Sequence, residues 1–299
     1  MKDFLELSEQ VIYAFESKKP VIALESTIIS HGMPYPQNLE VAEMLEKIAL
    51  ENDVIPATIA IMNGKLKVGL SEKDLEILAK SKNVEKVSLR DISKVMVKKQ
   101  IGATTVAATM YIAHLAGIHV FATGGIGGVH RDLGETLDIS ADMTAFANIP
   151  IIVVTAGAKA ILDLKNTMEY LETLGVPLFG YKTDDFPAFY SSESGIKIEK
   201  INSPEEIADI YTTNKKIGLK TGIIVANPVP KKFEIKKQKM EKIINKALKE
   251  AKSIGIKGKK ITPFLLAKIV ELTQGDSLKT NIELVKNNVS VACEIAKNI

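Results

Sequence analysis

What most constrains this chain is a rhythm. Apolar, β-branched runs of strand length recur along it, separated by stretches with helical periodicity. The runs are VIALE from Val21, ATIAIM from Ala57, VEKVSL from Val84, HVFAT from His119, PIIVVT from Pro150, VPLFGY from Val176 and GIIVA from Gly222. A continuous apolar run suits a strand covered on both faces, and helices between such strands favour parallel pairing. The expected fold is therefore α/β, with a mainly parallel, doubly covered sheet. Several helices carry end signals. Asn38 reads as the cap of LEVAEMLEKIALE, Ser71 with Asp74 as a capping box before LEILAK, and Thr262-Pro263 as the start of a helix that Gly275 ends.

Composition bounds the class. The 299 residues are 46% hydrophobic and 25% charged, enough to bury a large core and too apolar for disorder. The best linker candidate is NPVPKKFEIKKQ, residues 227–238. The apolar helices after it look core-facing, so it reads as an excursion within a single domain spanning 1–299. No run approaches the roughly 20 apolar residues of a membrane span, and MKDFLELSEQ lacks the pattern of a signal peptide, so a cytoplasmic protein is expected. Cys293 is the single cysteine, which excludes an internal disulfide and a cysteine-built zinc site. Net charge is only +3. Lysines crowd between Lys231 and Lys260, but in QKMEKIINKALKEAKSI they alternate with Met240, Ile243, Ile244, Ala247, Leu248, Ala251 and Ile254, which share one helix face. That is a solvated face on an amphipathic helix. With no tryptophan and no basic stretch interleaved with aromatics, neither a nucleic-acid polymer nor a membrane is an expected partner.

Ligands in open α/β sheets gather beyond the carboxyl ends of the strands. Glu25 ends the first run, where partial desolvation suits a general acid and where a buried ion pair is the competing reading. TGGIGGVH, from Thr123 to His130, packs its glycines after another run. It fits either a phosphate nest, with Thr123, His130 and Arg131 as extra donors, or a tight turn. It is neither a dinucleotide fingerprint nor a P-loop. DISAD sets Asp138 and Asp142 four apart, on one face if helical, a pattern that suits either a hard divalent ion or helix-start capping. Lys159, in TAGAKAILDL, is expected near the start of a helix. Burial and the helix dipole there would favour a neutral, nucleophilic amine; the alternative is a packed stem with its head in water.

Taken together, ALESTIISHGMPYPQN, TTVAATM, FATGGIGGVHR, DISAD, TAGAKAILDL, GYKTDDFPAFY, ANPVP and TPFLL closely resemble the pseudouridine-5′-phosphate glycosidase family, also called indigoidine synthase A-like, in unchanged order from about Val21 onward. The resemblance implies a three-layer α/β/α fold and reversible cleavage of pseudouridine 5′-phosphate to uracil and ribose 5-phosphate. It also implies a homotrimer and a Mn²⁺ ion. Lys159 matches the family's covalent lysine, Glu25 its proton donor and Asp138 its metal-binding aspartate. Lys86, Val106, Thr123, His130 and Ser140-Ala141-Asp142 match phosphosugar contacts, and Asn281 a base-side contact. On the residues alone, a Schiff-base lyase acting on another sugar phosphate and a non-catalytic sugar-phosphate sensor remain alternatives.

Overall fold

Every apolar run forms a strand. The computed structural model describes residues 2–131, 133–256 and 261–299, so Lys257, Lys259 and Lys260 of the lysine-rich stretch lie outside the described residues. In chain order the strands are β1 (Leu5–Leu7), β2 (Val21–Leu24), β3 (Ile55–Met62), β4 (Lys65–Val68), β5 (Glu85–Val87), β6 (Gly102–Thr104), β7 (Val120–Ala122), β8 (Val129–His130), β9 (Ile152–Thr155), β10 (Leu162–Asp163), β11 (Leu178–Tyr181), β12 (Glu199–Ile201) and β13 (Ile223–Ala226). The main sheet runs β1-β4-β3-β2-β7-β9-β13-β11-β12, with β6 branching from β3 and carrying β5. From β3 to β12 the pairing is parallel throughout; antiparallel contacts are confined to β3 with β4 and β3 with β6.

Helices cover both faces. Gln37–Glu51, Pro204–Lys216 and Asp276–Ala296 pack in one layer, and Val106–Ala116 with Ala141–Asn148 in the other. The fold is the expected three-layer α/β/α arrangement with a mixed, mainly parallel sheet. All residues of β2, β9 and β13 are buried. Each fully buried Val or Ile there contributes about 1.5–3 kcal/mol relative to exposure.

Local signals are met unevenly. Ser71 and Asp74 form the reciprocal capping box. Asn38 is not a cap: Pro36 holds that position, and Asn38 is buried in the first turn, its Nδ2 donating to the carbonyls of Ile29 (2.8 Å) and Ala79 (3.0 Å). The helix containing Thr262-Pro263 spans Ile261–Leu272, and Gly275 instead caps the start of the next helix with φ 91°. The helix Lys237–Ser253 buries Met240, Ile244, Ala247 and Ala251, while Ile254 is exposed beyond its end. Segment 227–238 is stitched to the core. Asn227 N–H donates to Thr155 O (2.8 Å) and Ile235 N–H to Tyr190 O (2.8 Å).

Strand order reverses beside β2: the chain passes to β3 on one side and later to β7 on the other. Crevices at such reversals, beyond the carboxyl ends, are where this architecture takes its ligands. Glu25 leaves β2 there, Thr123 leaves β7, and β9 leads to Lys159.

Candidate active site

Glu25 is 9% exposed. Its two carboxylate oxygens accept the hydroxyls of Thr27 and Thr123. Thr123 is itself pinned: its N–H donates to Val154 O (3.0 Å) and its carbonyl accepts from Asn288 Nδ2 (2.8 Å). Asn288 is fully buried on the helix Asp276–Ala296 and accepts from Asn227 Nδ2 at 3.0 Å, just past β13. Three strand exits and one helix thus fix the acid. Among the described residues Glu25 forms no ion pair, so the hydroxyls replace the structural cation that sequence allowed.

Lys159 is positioned by main chain. Parallel pairing of β7 with β9 continues past the strand ends: Ala156 N–H donates to Gly124 O (3.0 Å), Ile126 N–H to Gly157 O (3.1 Å) and Lys159 N–H to Ile126 O (3.0 Å). Gly157 has φ +89°, and a Cβ there would collide with Pro187 O, so only glycine fits. Arg131 clamps the far side, Nη2 donating to Ala160 O (2.9 Å) and Nε to Leu162 O (3.2 Å), while Nη1 bonds Glu241 (3.2 Å). Its donors hold the lysine turn and are not presented to a ligand. The expected helix start at Lys159 is corrected: the chain turns, forms β10 against β8, and the helix is Leu164–Thr173. Lys159 therefore does not stand at the amino end of that helix. The apolar AILDL, read as helix, is a turn and short ribbon.

Three N–H groups of the glycine loop are taken by the protein itself. The N–H of Ile126 goes to Gly157 O, that of Gly127 to Asp142 Oδ2 (2.7 Å), and that of Val129 to Thr167 Oγ1 (3.0 Å). Gly127 is required because a Cβ would strike Ser140. DISAD is not one helical face. Asp138 lies in the loop and Asp142 in the first turn of Ala141–Asn148. Asp142 Oδ1 also accepts from Ala107 N–H at 2.9 Å, so both its oxygens brace backbone.

Two connected pockets fill the crevice. A small one, called inner for its place beside Glu25, about 60 Å³, is lined by Glu25, His31, Phe189 and Asn281. A wider outer one, about 440 Å³, is lined by His130, Asp138, Ser140, Ala141 and Asp142. Thr27, Lys86, Lys159 and Thr262 line both, so the lysine stands at their junction. The structure therefore gathers most of the anticipated residues. Val106 and Thr123 are the exceptions: they are buried behind the wall, Thr123 serving Glu25 and Val106 opening the helix Val106–Ala116. His31, Thr105, Phe189 and Asn288 were not singled out from sequence. Two of them carry orphaned atoms: His31 Nε2 and Thr105 Oγ1 are buried without a hydrogen-bond partner among the described residues. Burial first, then the charge of Lys86, holds the His31 imidazole below its usual range.

For a metal, the donor set is sparse. Among the described residues no cluster of His, Cys, Asp or Glu forms a ready-made cage. His130 Nε2 and Asp138 Oδ2 stand 3.9 Å apart on the outer pocket wall. With Asp142 occupied, this arrangement fits a hard ion that keeps most of its water.

Comparisons with known proteins agree with this geometry. The family model described as "Indigoidine synthase A like protein" matches residues 10–298. A protein of Caldanaerobacter subterraneus subsp. tengcongensis named pseudouridine-5′-phosphate glycosidase is 55% identical over 297 residues, 99% of this chain and 97% of its own. One of the same name from Staphylococcus aureus is 54% identical with the same coverage. Among solved structures, the prealnumycin C-glycosynthase AlnA in complex with ribulose 5-phosphate matches with TM-score 0.91 and 35% identity, covering 99% of this chain and 96% of that one. An indigoidine synthase A-like protein from Thermotoga maritima gives 0.89 and 37%, covering 98% and 95%. Sheet and crevice define an α/β enzyme with an acid and an amine at its topological switch point. The chain belongs to the indigoidine synthase A-like family, that of the pseudouridine-5′-phosphate glycosidases.

Proposed function

We propose that the chain catalyses reversible cleavage of the carbon–carbon glycosidic bond of pseudouridine 5′-phosphate, giving uracil and ribose 5-phosphate. The observation that carries this reading is Lys159 at the junction of two pockets, with Glu25 in the inner one. The base is assigned to the inner pocket beside Asn281, the sugar to the junction, and the phosphate to the outer pocket. There Lys86 and His130 supply positive or hydrogen-bonding groups. Thr105, before the helix Val106–Ala116, and Ser140, before Ala141–Asn148, line the same pocket, where Asp142 already takes the Ala107 N–H.

An ordinary glycosidase protonates an oxygen or nitrogen leaving group. Here the leaving atom is carbon C5 of uracil, which has no lone pair, so the electrons need another route. Lys159 Nζ, as the free amine, attacks C1′ while the C1′–O4′ bond breaks and O4′ takes a proton from Glu25. Glu25, now a carboxylate, recovers a proton from the new ammonium centre. The nitrogen lone pair then expels uracil as the C1′–C5 bond breaks, C5 taking that proton from Glu25 and C1′ becoming a protonated imine. Water hydrolyses the protonated imine and frees ribose 5-phosphate and the amine, the remaining proton returning to Glu25.

We further propose a divalent ion, Mn²⁺ or Mg²⁺, held at Asp138 partly through water; when bound it would orient phosphate or sugar oxygens and counter their charge. Chelation should depress activity and Mn²⁺ should restore it; indifference to chelator would leave Asp138 a loop residue only. A homotrimer is the proposed assembly, and a monomer in light scattering would refute it.

Uracil release from pseudouridine 5′-phosphate, followed by absorbance, tests the activity. No release would favour a lyase of another sugar phosphate or a sensor. Lys159→Ala should still bind ribose 5-phosphate while losing turnover by about 10³-fold or more. In the parent protein, borohydride with ribose 5-phosphate should add a sugar to the peptide carrying Lys159.

A further inference from the structure

His31 sits where the proposed chemistry needs a reader for the base. It ends the short helix Thr27–His31 that begins just after Glu25, and its ring lines the inner pocket with Glu25 and Asn281. Its Nε2 is buried and unpartnered among the described residues. A buried polar atom without a partner is destabilising, so its persistence in a pocket wall points to a partner that arrives with the ligand. The neighbouring wall sharpens what that partner is. Phe189 and Gly125 give an apolar surface on one side, Asn281 offers both a donor and an acceptor, and the pocket is small. A flat, uncharged ring with polar edges fits such a slot; a phosphate fits the wider outer pocket, where Arg90 and His130 join Lys86.

We propose that His31 Nε2 hydrogen-bonds an imide edge of the uracil base and, with Asn281, determines which base the enzyme accepts. This rests on the activity proposed above. The imidazole is held toward its neutral form by burial and by Lys86, so it meets the base as a dipole and not as a cation. A neutral partner suits a neutral base: it binds the ring without trapping charge on it when C5 leaves. His31 is a specificity and positioning residue in this scheme, distinct from the groups that bond to C1′ or O4′.

The synthetic direction separates base from sugar. His31→Phe keeps a ring and removes both nitrogens; His31→Gln keeps a polar group. Initial rates are measured with ribose 5-phosphate and uracil, N1-methyluracil or N3-methyluracil, alongside borohydride trapping of ribose 5-phosphate alone. His31→Phe should raise the KM for uracil roughly tenfold or more and narrow the preference for uracil over at least one methylated base. Trapping on Lys159 should stay within about twofold of the parent, and His31→Gln should recover part of the preference. An unchanged KM and unchanged base preference in His31→Phe would overturn the assignment. So would a loss of trapping in both variants, because His31 would then serve the sugar or the fold. A parent protein that neither releases uracil nor traps sugar would overturn the activity and this role together, whereas a working parent with indifferent variants would overturn this role alone.

Discussion

Glu25 has its two hydroxyl partners on separate parts of the chain, Thr27 close by and Thr123 on the next strand exit. Hydroxyls can both donate and accept, so this pair can follow the acid through either protonation state without moving. Thr123→Val removes one of them and keeps the side-chain shape. It should lower kcat between about 10- and 100-fold, the worth of one hydrogen bond to a charged group, with the thermal midpoint nearly unchanged. An unaltered kcat would remove Thr123 from the machinery. Glu25 and Lys159 were legible in sequence because a charged residue ending an apolar run is conspicuous. His31, Thr105 and Asn288 were not, because an isolated polar residue in a loop or helix carries no periodicity, and only the structure reveals an atom that lacks or finds a partner.

At the scale of elements, Asp142 joins three of them. From the start of Ala141–Asn148 it accepts the Ala107 N–H in the first turn of Val106–Ala116 and the Gly127 N–H in the glycine loop. These donors belong to orphaned or loop backbone, so an acceptor there satisfies groups that would otherwise be buried unpaired. Asp142→Asn removes the charge and turns one acceptor into a donor facing an N–H. It should cost about 2–3 kcal/mol in urea denaturation, with the slope of the transition retained. A loss under about 0.5 kcal/mol would show that the brace is dispensable. The parallel strands were readable because burial on both faces leaves unbroken apolar runs. The short strands β1, β4 and β12 were not, because LEL, KLKV and EKI mix charge with apolar residues. The ribbon β8–β10 was missed for a related reason, since two-residue strands leave no pattern to read.

For the whole molecule, acid sensitivity should come from the sheet's other end. His119 lies immediately before β7, its Nδ1 3.0 Å from the hydroxyl of Tyr211, which donates to Pro150 O at 3.1 Å. Burial first, then the charges of Lys215 and His114, lower its pKa from 6.5 to about 4. A histidine held neutral in the native state takes up its proton more readily when unfolded. The stabilisation is therefore complete above pH 6.5 and is lost as pH falls toward 4. Urea melts at pH 7 and pH 4.5 should show this loss, and His119→Asn should flatten it; parallel curves for both proteins would place the acid response elsewhere. The ladder joining β2, β7 and β9 has a different consequence. Leu24 pairs with Ala122 and Ala122 with Val154, and the ladder then runs on to Lys159. The main-chain positions of acid and amine are thus spaced by peptide units. Over evolutionary time the pocket walls can be redecorated for another sugar or another leaving base while the reacting pair stays in place. Lengthening the loop between Thr155 and Lys159 by one residue is the change such a lineage could not absorb.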